Sequence, residues 1–278
     1  LAFGILKDIQ DGGLAVKTAD GREIVFGDMS SSPTAGWQIN HPKTFAKILQ
    51  GGSLGLGESY MNSWWDVEDD RLCDFMGVTL RNELWKHVSE DLYRKFQIAF
   101  FTLLSNPASL SGGKRCITHH YDLSNDFFRL FLDDTMTYSC GYECNGTDTL
   151  EQMQKQKYTL ICKKLGLEKG GELLDAGCGW GGIGLLHTIG VTDSPIYKPD
   201  PWCTKHIFPG SRLPRLDELA ICMREAGLLF GHVENLRPHY AETLRRRKKR
   251  FEKNSEQIQS LGPKFAERFM QMWNYDLQ

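Results

Sequence analysis

The sequence predicts an α/β fold in which parallel strands alternate with helices. Two apolar runs carry this prediction: ELLDAG, at residues 172–177, enters a glycine-rich turn, and GLLHTIG follows at residues 184–190. Each run is typical of a buried strand, and the segments around them have apolar residues at steps of three and four, as amphipathic helices do. Parallel strands need a connection of a dozen or more residues, usually a helix. Here only residues 178–183 intervene, so the expected helix has no place in the sequence.

The composition is that of an ordinary soluble protein. The 278 residues are 41% hydrophobic and 24% charged, with a net charge of −2, which permits one large domain or two smaller ones. No apolar run reaches the length of about 18 residues that spans a membrane, and the first residues lack the pattern of a secretory signal. The eight cysteines include no CxxC pair. We therefore expect no metal site, no disulfide framework, a cytoplasmic location and no nucleic-acid partner.

The first part of the chain predicts a hairpin followed by helices. GGLAVKTADGREIVFGD, at residues 12–28, is typical of two strands around the ADGRE turn. Residues 41–52 and 70–104 show helical spacing of apolar residues, and the glycine- and aromatic-rich stretch SLGLGESYMNSWWDVED lies between them. The loop-like SNPASLSGGKR, at residues 105–115, predicts a boundary that ends a smaller, mostly helical N-terminal domain of residues 1–108.

The second part, residues 109–278, predicts several more helices. DLSNDFFRLFLDD, at residues 122–134, is expected to begin at Asp122 or Ser124 as the N-cap. TLEQMQKQKYTLICKKLGL begins at Thr149, has Gln152 three residues later and stops at Gly166. Further helices are predicted over residues 215–228, 239–262 and 263–275.

The glycine-rich turn predicts a cofactor site. In LLDAGCGWGG, Asp175 ends the strand and Gly177, Gly179 and Gly181 follow at alternate positions. Glycines there allow a sharp turn and the close approach of a ligand. The spacing differs from the dinucleotide pattern GxGxxG, and suits a cofactor with an amino-acid moiety, such as S-adenosylmethionine. A purely structural turn at a sheet edge and a nucleotide site remain the alternatives.

Several blocks of the sequence resemble the cyclopropane-fatty-acid synthases, which are methyltransferases that use S-adenosylmethionine. The blocks are HHYDLSNDFFRLFLDDTMTYSCGY, TLEQMQKQKYTLICKKLGLEKGGELLDAGCGWGG, LLHTIG, DPWCTKHIFPG and HYAETL, in this order. The resemblance implies a class I methyltransferase domain, with a doubly wound sheet, over residues 109–278. GGSLGLGESYMNSWW is similar to the extra N-terminal domain of the phospholipid-acting members, which would engage lipid or dimerise.

The resemblance also accounts for the missing helix. In the family, GCGWGG and LLHTIG lie far apart, separated by ribose-binding, adenine-contacting and glutamate-containing segments. At about 30 residues per strand-helix-strand unit, three missing units imply a gap of very roughly 90 residues near residues 182–185. We therefore expect that the sequence is closed up over a missing stretch, and a truncated chain is the alternative.

The resemblance implies a reaction and its site residues. A methylene group is added across the cis double bond of a phospholipid acyl chain, with bound bicarbonate as the base. Cys140, His187 and Tyr240 match the family's bicarbonate ligands, and Ile189 matches the residue that contributes its backbone. Each has a simpler interpretation when taken alone: Cys140 as a packed thiol, His187 as a hydrogen-bonded core histidine and Tyr240 as a packing residue.

Further residues are implied for the cofactor. Tyr138 and Ser139 match family residues that contact S-adenosylmethionine, together with the acid and glycines of the turn. Tyr121 is expected to close over the sulfonium, since an aromatic face stabilises a cation, or else to pack at the start of a helix.

RRRKKR, at residues 245–250, is a run of six basic residues within a helical pattern. Such runs are usually solvated, and the functional alternative is contact with anionic headgroups, worth roughly 1 kcal/mol per charge. The resemblance implies a homodimer that attaches peripherally to a bilayer and acts on unsaturated phospholipid. The competing functions are a related methyltransferase that makes methyl-branched or methylene chains, and an inactive lipid-binding homologue.

Overall fold

The computed structural model describes residues 2–87, 123–167, 185–191, 200–209, 211–229 and 231–278. Its regular elements, in chain order, are α1 (Ala2–Leu6), β1 (Gly13–Lys17), β2 (Glu23–Gly27), β3 (Thr34–Ile39), α2 (Thr44–Met61), β4 (Trp65–Val67), α3 (Leu72–Arg81), α4 (Asn125–Arg129), α5 (Leu150–Lys164), α6 (Pro201–His206), α7 (Leu216–Glu225), α8 (Arg237–Lys253), α9 (Ser255–Ser260) and α10 (Glu267–Asp276). Short 3₁₀ turns occupy Glu68–Asp70, Leu84–His87 and Pro263–Phe265. The predicted α/β class is confirmed, because a mixed sheet is combined with many helices.

The chain divides into two compact units. The first contains Leu1–Ser124, Pro199–Ser211 and Ser255–Gln278, and the second contains Asn125–Lys198 and Arg212–Asn254. The predicted boundary near residue 108 lies outside the described residues and stays a prediction. The first unit therefore includes helices α6, α9 and α10 from late in the chain.

A four-stranded sheet forms the centre of the first unit, in the order β2-β1-β3-β4. The predicted hairpin is confirmed as β1 and β2, which pair antiparallel, with Leu14 opposite Phe26. β2 runs antiparallel to β1 and so returns the chain to the end of the sheet where β1 began. β3 starts from that end and therefore pairs parallel to β1, and β4 pairs antiparallel to β3. The sequence did not predict β3 and β4. Within residues 2–87, helices nevertheless contain more residues than strands.

Alternate residues of these strands are buried on one side of the sheet, as the two-residue period of a strand requires. They pack against an aromatic cluster whose ring centroids lie 4.8–5.0 Å apart for the pairs Trp37–Phe75, Trp65–Phe75 and Tyr60–Trp65. Trp65 is buried, and its Nε1–H donates to Ser59 Oγ over 2.9 Å. Trp64 stacks on the His41 ring at 4.2 Å. Of the two tryptophans, Trp65 is therefore a core residue.

Helix α2 extends through the glycine-rich stretch that the sequence did not predict as helix. Its backbone is non-helical at Gly52 (φ 56°, ψ −136°), where two helical segments join. A Cβ atom at Gly57 would lie 2.2 Å from the Trp202 ring, so the absence of a side chain lets α6 pack closely. Glu58, one residue on, pairs with Lys47 at 2.8 Å and Lys205 at 2.5 Å.

Helices of the second unit follow the sequence closely. α5 begins with the predicted capping box, in which the side chains and backbone N–H groups of Thr149 and Gln152 hydrogen-bond reciprocally, and Gly166 follows its end at φ 62°. α7 ends before Gly227, at φ 73°. The helix predicted over residues 122–134 is only α4, since the chain then turns around the Asp133 carboxylate.

The predicted doubly wound sheet falls largely on residues 168–184 and 192–199, outside the described residues. The predicted buried strand at residues 184–190 is wrong for residues 185–190, which are exposed and form no regular element. A strand needs a hydrogen-bonded neighbour. Among the described residues, the one isolated bridge at this place joins Val191, the residue after the segment, to Arg215. Across the described residues, no helix has both the length and the hydrophobicity to cross a bilayer.

Candidate active site

Three predicted site residues, Tyr138, Ser139 and Cys140, lie together on an irregular segment between α4 and α5. The carboxylate of Asp133 starts this segment: it is buried and accepts hydrogen bonds from the backbone N–H groups of Thr135 (3.0 Å) and Thr137 (3.2 Å). The turn around this carboxylate brings residues 137–141 against two helices, α5 and α8.

Helix α5 holds the segment from one side. The stripe of residues that α5 buries is Leu150, Met153, Gln154 and Lys157, at helical steps of three and four. Gln154 Nε2 donates to the Ser139 carbonyl over 3.0 Å, and Lys157 Nζ donates to Ser139 Oγ over 2.8 Å. Two polar side chains therefore occupy core positions of the helix and bind the same residue.

Helix α8 holds the segment from the other side. Arg247 is 1% exposed, and its guanidinium donates to the carbonyls of Thr137 (3.1 Å) and Ser139 (2.8 Å). The same guanidinium lies 5.1 Å from the centroid of the Tyr138 ring, a cation–π distance. One turn earlier, Thr243 Oγ1 accepts a hydrogen bond from the Gly141 N–H over 2.9 Å.

The basic run, residues 245–250, is neither uniformly solvated nor uniformly exposed for contact with headgroups. Of its six residues only Arg245 and Lys249 are exposed, whereas Arg247 is fully buried. Arg250 donates to the Leu132 carbonyl over 2.8 Å and pairs with Glu151. Arg247 is buried because a helix turns 100° per residue, so the side chains of a six-residue run point in all directions and one of them faces the core.

Cys140 is buried, with its Sγ 2.9 Å from the Gly141 carbonyl oxygen and 3.8 Å from that of Leu236. Burial raises the pKa of the Cys140 thiol, and the hydrogen bond involving Thr243 and the charge of Lys157 oppose this only in part. The thiol is thus protonated at neutral pH. A protonated thiol is a poor nucleophile, so its environment does not activate Cys140 for covalent catalysis.

Tyr240 lies near the start of α8, where its backbone N–H donates to the Leu236 carbonyl over 2.9 Å, and it is partly buried. When ionised, its phenol raises the pKa of Arg247, so the two side chains are neighbours. Tyr240 and the Tyr138–Cys140 segment are therefore brought to one place by a shared neighbour.

His187 and Ile189 lie in the exposed segment 185–190, with Ile189 54% exposed. The imidazole of His187 has nevertheless lost part of its hydration. This loss, and then the positive charge of Lys157, lower the pKa of His187. The neutral imidazole is favoured, which leaves one ring nitrogen able to accept a proton.

The remaining predicted residues, Tyr121, Asp175, Gly177, Gly179 and Gly181, lie outside the described residues. Sequence reasoning in turn missed Gln154, Lys157 and Arg247. The signal for all three was a polar residue on the buried stripe of an amphipathic helix.

The residues present fit a small polar ligand that carries a negative group. Lys157 and Arg247 are both buried cations at the segment. The Nε atom of Arg247 and the Oε1 atom of Gln154 are buried and have no hydrogen-bond partner among the described residues. Buried polar atoms are normally satisfied; the Nε–H of Arg247 is a donor suited to a negative group, whereas Oε1 of Gln154 is an acceptor suited to a donor group.

Comparison with known protein families identifies the class of protein to which this site belongs. The family model described as mycolic acid cyclopropane synthetase matches residues 110–188 and 182–278. The chain belongs to this family, and the resemblance found in its motifs is confirmed. The two matched stretches overlap at residues 182–188, and the sequence predicts a missing segment at the same place. The missing segment itself stays a prediction.

Individual relatives agree with this assignment. The chain is 43% identical over 159 residues to the cyclopropane-fatty-acyl-phospholipid synthase of Escherichia coli K12, covering 56% of this chain and 40% of that protein. It is 31% identical over 179 residues to a probable fatty acid methyltransferase of Pseudomonas putida, covering 61% and 40% respectively. The chain thus spans about 40% of the length of these relatives.

Two solved structures are also similar to the chain. One is the cyclopropane synthase MmaA2 from Mycobacterium tuberculosis, with a TM-score of 0.46 and 22% identity over 59% of this chain and 92% of that one. The other is the mycolic acid cyclopropane synthase CmaA1 complexed with SAH and CTAB, with a TM-score of 0.45 and 24% identity over the same shares.

Proposed function

We propose that this chain is an S-adenosylmethionine-dependent cyclopropane fatty acid synthase that adds a methylene group to the cis double bond of unsaturated phospholipid acyl chains, with bound bicarbonate as base. The observation that carries the proposal is the family match over residues 110–278, within which the Tyr138–Cys140 segment is held from both sides by buried polar side chains. The relatives named as cyclopropane synthases and fatty acid methyltransferases support the substrate class.

The reaction needs alignment more than acid or base strength. S-adenosylmethionine would supply an electrophilic methyl group, and bicarbonate would supply a base. The chain must hold the acyl chain and the methyl donor in line and exclude water, because a cationic carbon intermediate would otherwise be hydrated. Tyr138 and Ser139 would hold the methyl donor, together with the glycine turn and Tyr121.

The anion site would be formed by Cys140, His187, Tyr240 and the backbone of Ile189. The lowered pKa of His187 and the raised pKa of Cys140 leave both groups uncharged at neutral pH. Uncharged groups can donate hydrogen bonds to a small anion without transferring a proton to it, so the anion can still act as a base. The buried charges of Lys157 and Arg247 would supply the electrostatic attraction.

Membrane attachment is a part of the same proposal. The substrate acyl chains lie in a bilayer, and the exposed side chains of Arg245 and Lys249 would contact anionic headgroups. Peripheral attachment and a homodimer are what the family resemblance implies for the chain.

The test uses purified protein with S-adenosylmethionine, bicarbonate and vesicles of a cis-monounsaturated phospholipid. Mass spectrometry and proton NMR follow the acyl chains. We expect a gain of one CH₂ per chain with upfield ring-proton signals, and a loss of this activity in Tyr240→Phe and His187→Gln but not in the exposed control Glu225→Gln. The same gain in mass without ring signals would identify a methyl-branching or methylene-forming enzyme. Cofactor binding with no gain in mass would refute the enzymatic proposal in favour of a binding protein.

A further inference from the structure

Lys157 is a buried lysine whose ammonium group binds the candidate site directly. It is 4% exposed, and its Nζ donates to Ser139 Oγ over 2.8 Å. Gln154, one turn earlier on the same face of α5, fixes the carbonyl of the same residue. The backbone of Ser139 is thus already held by Gln154 and Arg247, and the contribution that only Lys157 makes is to the hydroxyl.

The direction of this hydrogen bond determines what the hydroxyl can do. An ammonium group has three donors and no acceptor, so Ser139 Oγ must be the acceptor of the bond from Lys157. The O–H of Ser139 is then left as a donor. A neutral Lys157 amine could instead accept a hydrogen bond from Ser139, and the Ser139 O–H would then point towards Lys157 rather than towards a ligand.

The charge around Lys157 favours a negative acceptor. Arg247 from α8 is a second buried cation, and Asp133 is the buried carboxylate that faces both of them. Two cations facing one carboxylate leave an excess of positive charge behind the segment. The ends of a ligand that carry negative charge are therefore attracted to the Ser139 side.

We propose that Lys157 is a positioning residue that fixes the Ser139 hydroxyl as a hydrogen-bond donor to a negatively charged acceptor of the bound methyl donor. This inference rests on the proposed function, because Ser139 is assigned to the cofactor by the family resemblance. Lys157 itself acts through Ser139.

The proposal predicts a pH dependence of binding. Burial lowers the pKa of Lys157 to about 8; the carboxylate of Asp133, and Cys140 when its thiol is deprotonated, oppose this shift, and the charge of Arg247 adds to it. His187, from the segment 185–190, is the further titratable group coupled to Lys157. As the pH rises through about 8, Lys157 loses its proton and the orientation of the Ser139 hydroxyl is no longer fixed.

Calorimetric titration with S-adenosylmethionine across this pH range tests the proposal without any catalytic step. At neutral pH, we expect Lys157→Met to weaken binding about tenfold, the scale of one hydrogen bond from a charged donor. The matched control is Lys155→Met, which makes the same replacement at an exposed position of the same helix. The difference between wild type and Lys157→Met should disappear well above pH 8. Titration of the ligand's own amino group cancels in this difference.

A second variant protects the test against misfolding of Lys157→Met. Ser139→Ala removes the acceptor and leaves Lys157 in place, and the double variant should bind no more weakly than Ser139→Ala alone, because Lys157 acts only through the Ser139 hydroxyl. Additive losses, unchanged binding by Lys157→Met, or the same pH dependence in wild type and Lys157→Met would each overturn the positioning role. A wild-type protein that binds no S-adenosylmethionine would instead refute the proposed function itself.

Discussion

Replacing Arg247 by methionine separates a buried arginine from the basic run that surrounds it. Arg247 donates to two backbone carbonyls, those of Thr137 and Ser139, and lies against the Tyr138 ring. Methionine is similar in length, so the change removes the charge and the donors while keeping most of the buried volume. The perturbation therefore acts on the polar interactions that hold the segment.

The magnitude follows from what remains buried after the change. Hydrogen bonds from a charged donor contribute roughly 1.5–3 kcal/mol each. Removing one partner of a buried charge cluster also leaves the carboxylate of Asp133 with less compensation, and such losses amount to roughly 3–5 kcal/mol. The guanidinium no longer has to be desolvated, which offsets part of this cost. We expect a net loss of about 3 kcal/mol in the free energy of unfolding.

The control is Arg245→Met, two residues earlier in the same run. Arg245 is 60% exposed, and its partner Glu242 keeps a second ion pair, with Arg246, when Arg245 is replaced. Exposed ion pairs contribute little, so the expected change is at most about 0.5 kcal/mol. Urea denaturation followed by circular dichroism gives both values from the shift of the midpoint at constant slope. Equal losses for the two variants would show that Arg247 is not held as the structure describes.

Three further predictions concern other elements. Thr149→Ala should lower the free energy of unfolding by about 1 kcal/mol through loss of the α5 N-cap, and Thr149→Ser should restore it. Gly57→Ala should destabilise the first unit and move Trp202 fluorescence, since the added Cβ lies 2.2 Å from that ring, whereas Gly51→Ala meets nothing within 4 Å and serves as the control. Burial would raise the pKa of Glu58, but hydrogen bonds from its two lysines outweigh it and lower the pKa to about 2. Its pairs therefore stabilise the fold above pH 4.5 and are lost as the pH falls towards 2, so Glu58→Gln should flatten the pH dependence of the urea midpoint in that window.

The sequence predicts those elements whose signals are local. The α5 helix is an example, because its capping box and terminal glycine lie within the element itself. Helix α2 was missed beyond Gly52 because glycine disfavours helices. The packing of Gly57 against Trp202, a residue far along the chain, outweighs that preference, and no local pattern shows such a contact.

The short strands β3 and β4 were missed for a different reason. TAGWQI in β3 does alternate, with Ala35, Trp37 and Ile39 buried, but its three buried positions are too few to distinguish a strand from a loop. The parallel partner of β3 is β1, and that pairing depends on the intervening hairpin rather than on any residue of β3. Strand pairing is non-local, so the sheet could be predicted only as far as its hairpin.

The polar residues that hold the candidate site could in part have been predicted from the sequence. Phe251 is an apolar residue of α8 that is 2% exposed, and steps of four backwards from it reach Arg247 and Thr243. On α5, the same steps of four lead from Leu150 to Gln154 and from Met153 to Lys157. A charged residue on such a stripe carries a desolvation cost that an apolar residue would avoid. The presence of such residues on two helices that face one segment is the physical reason to look for the active site at Tyr138–Cys140 before any catalytic residue is known.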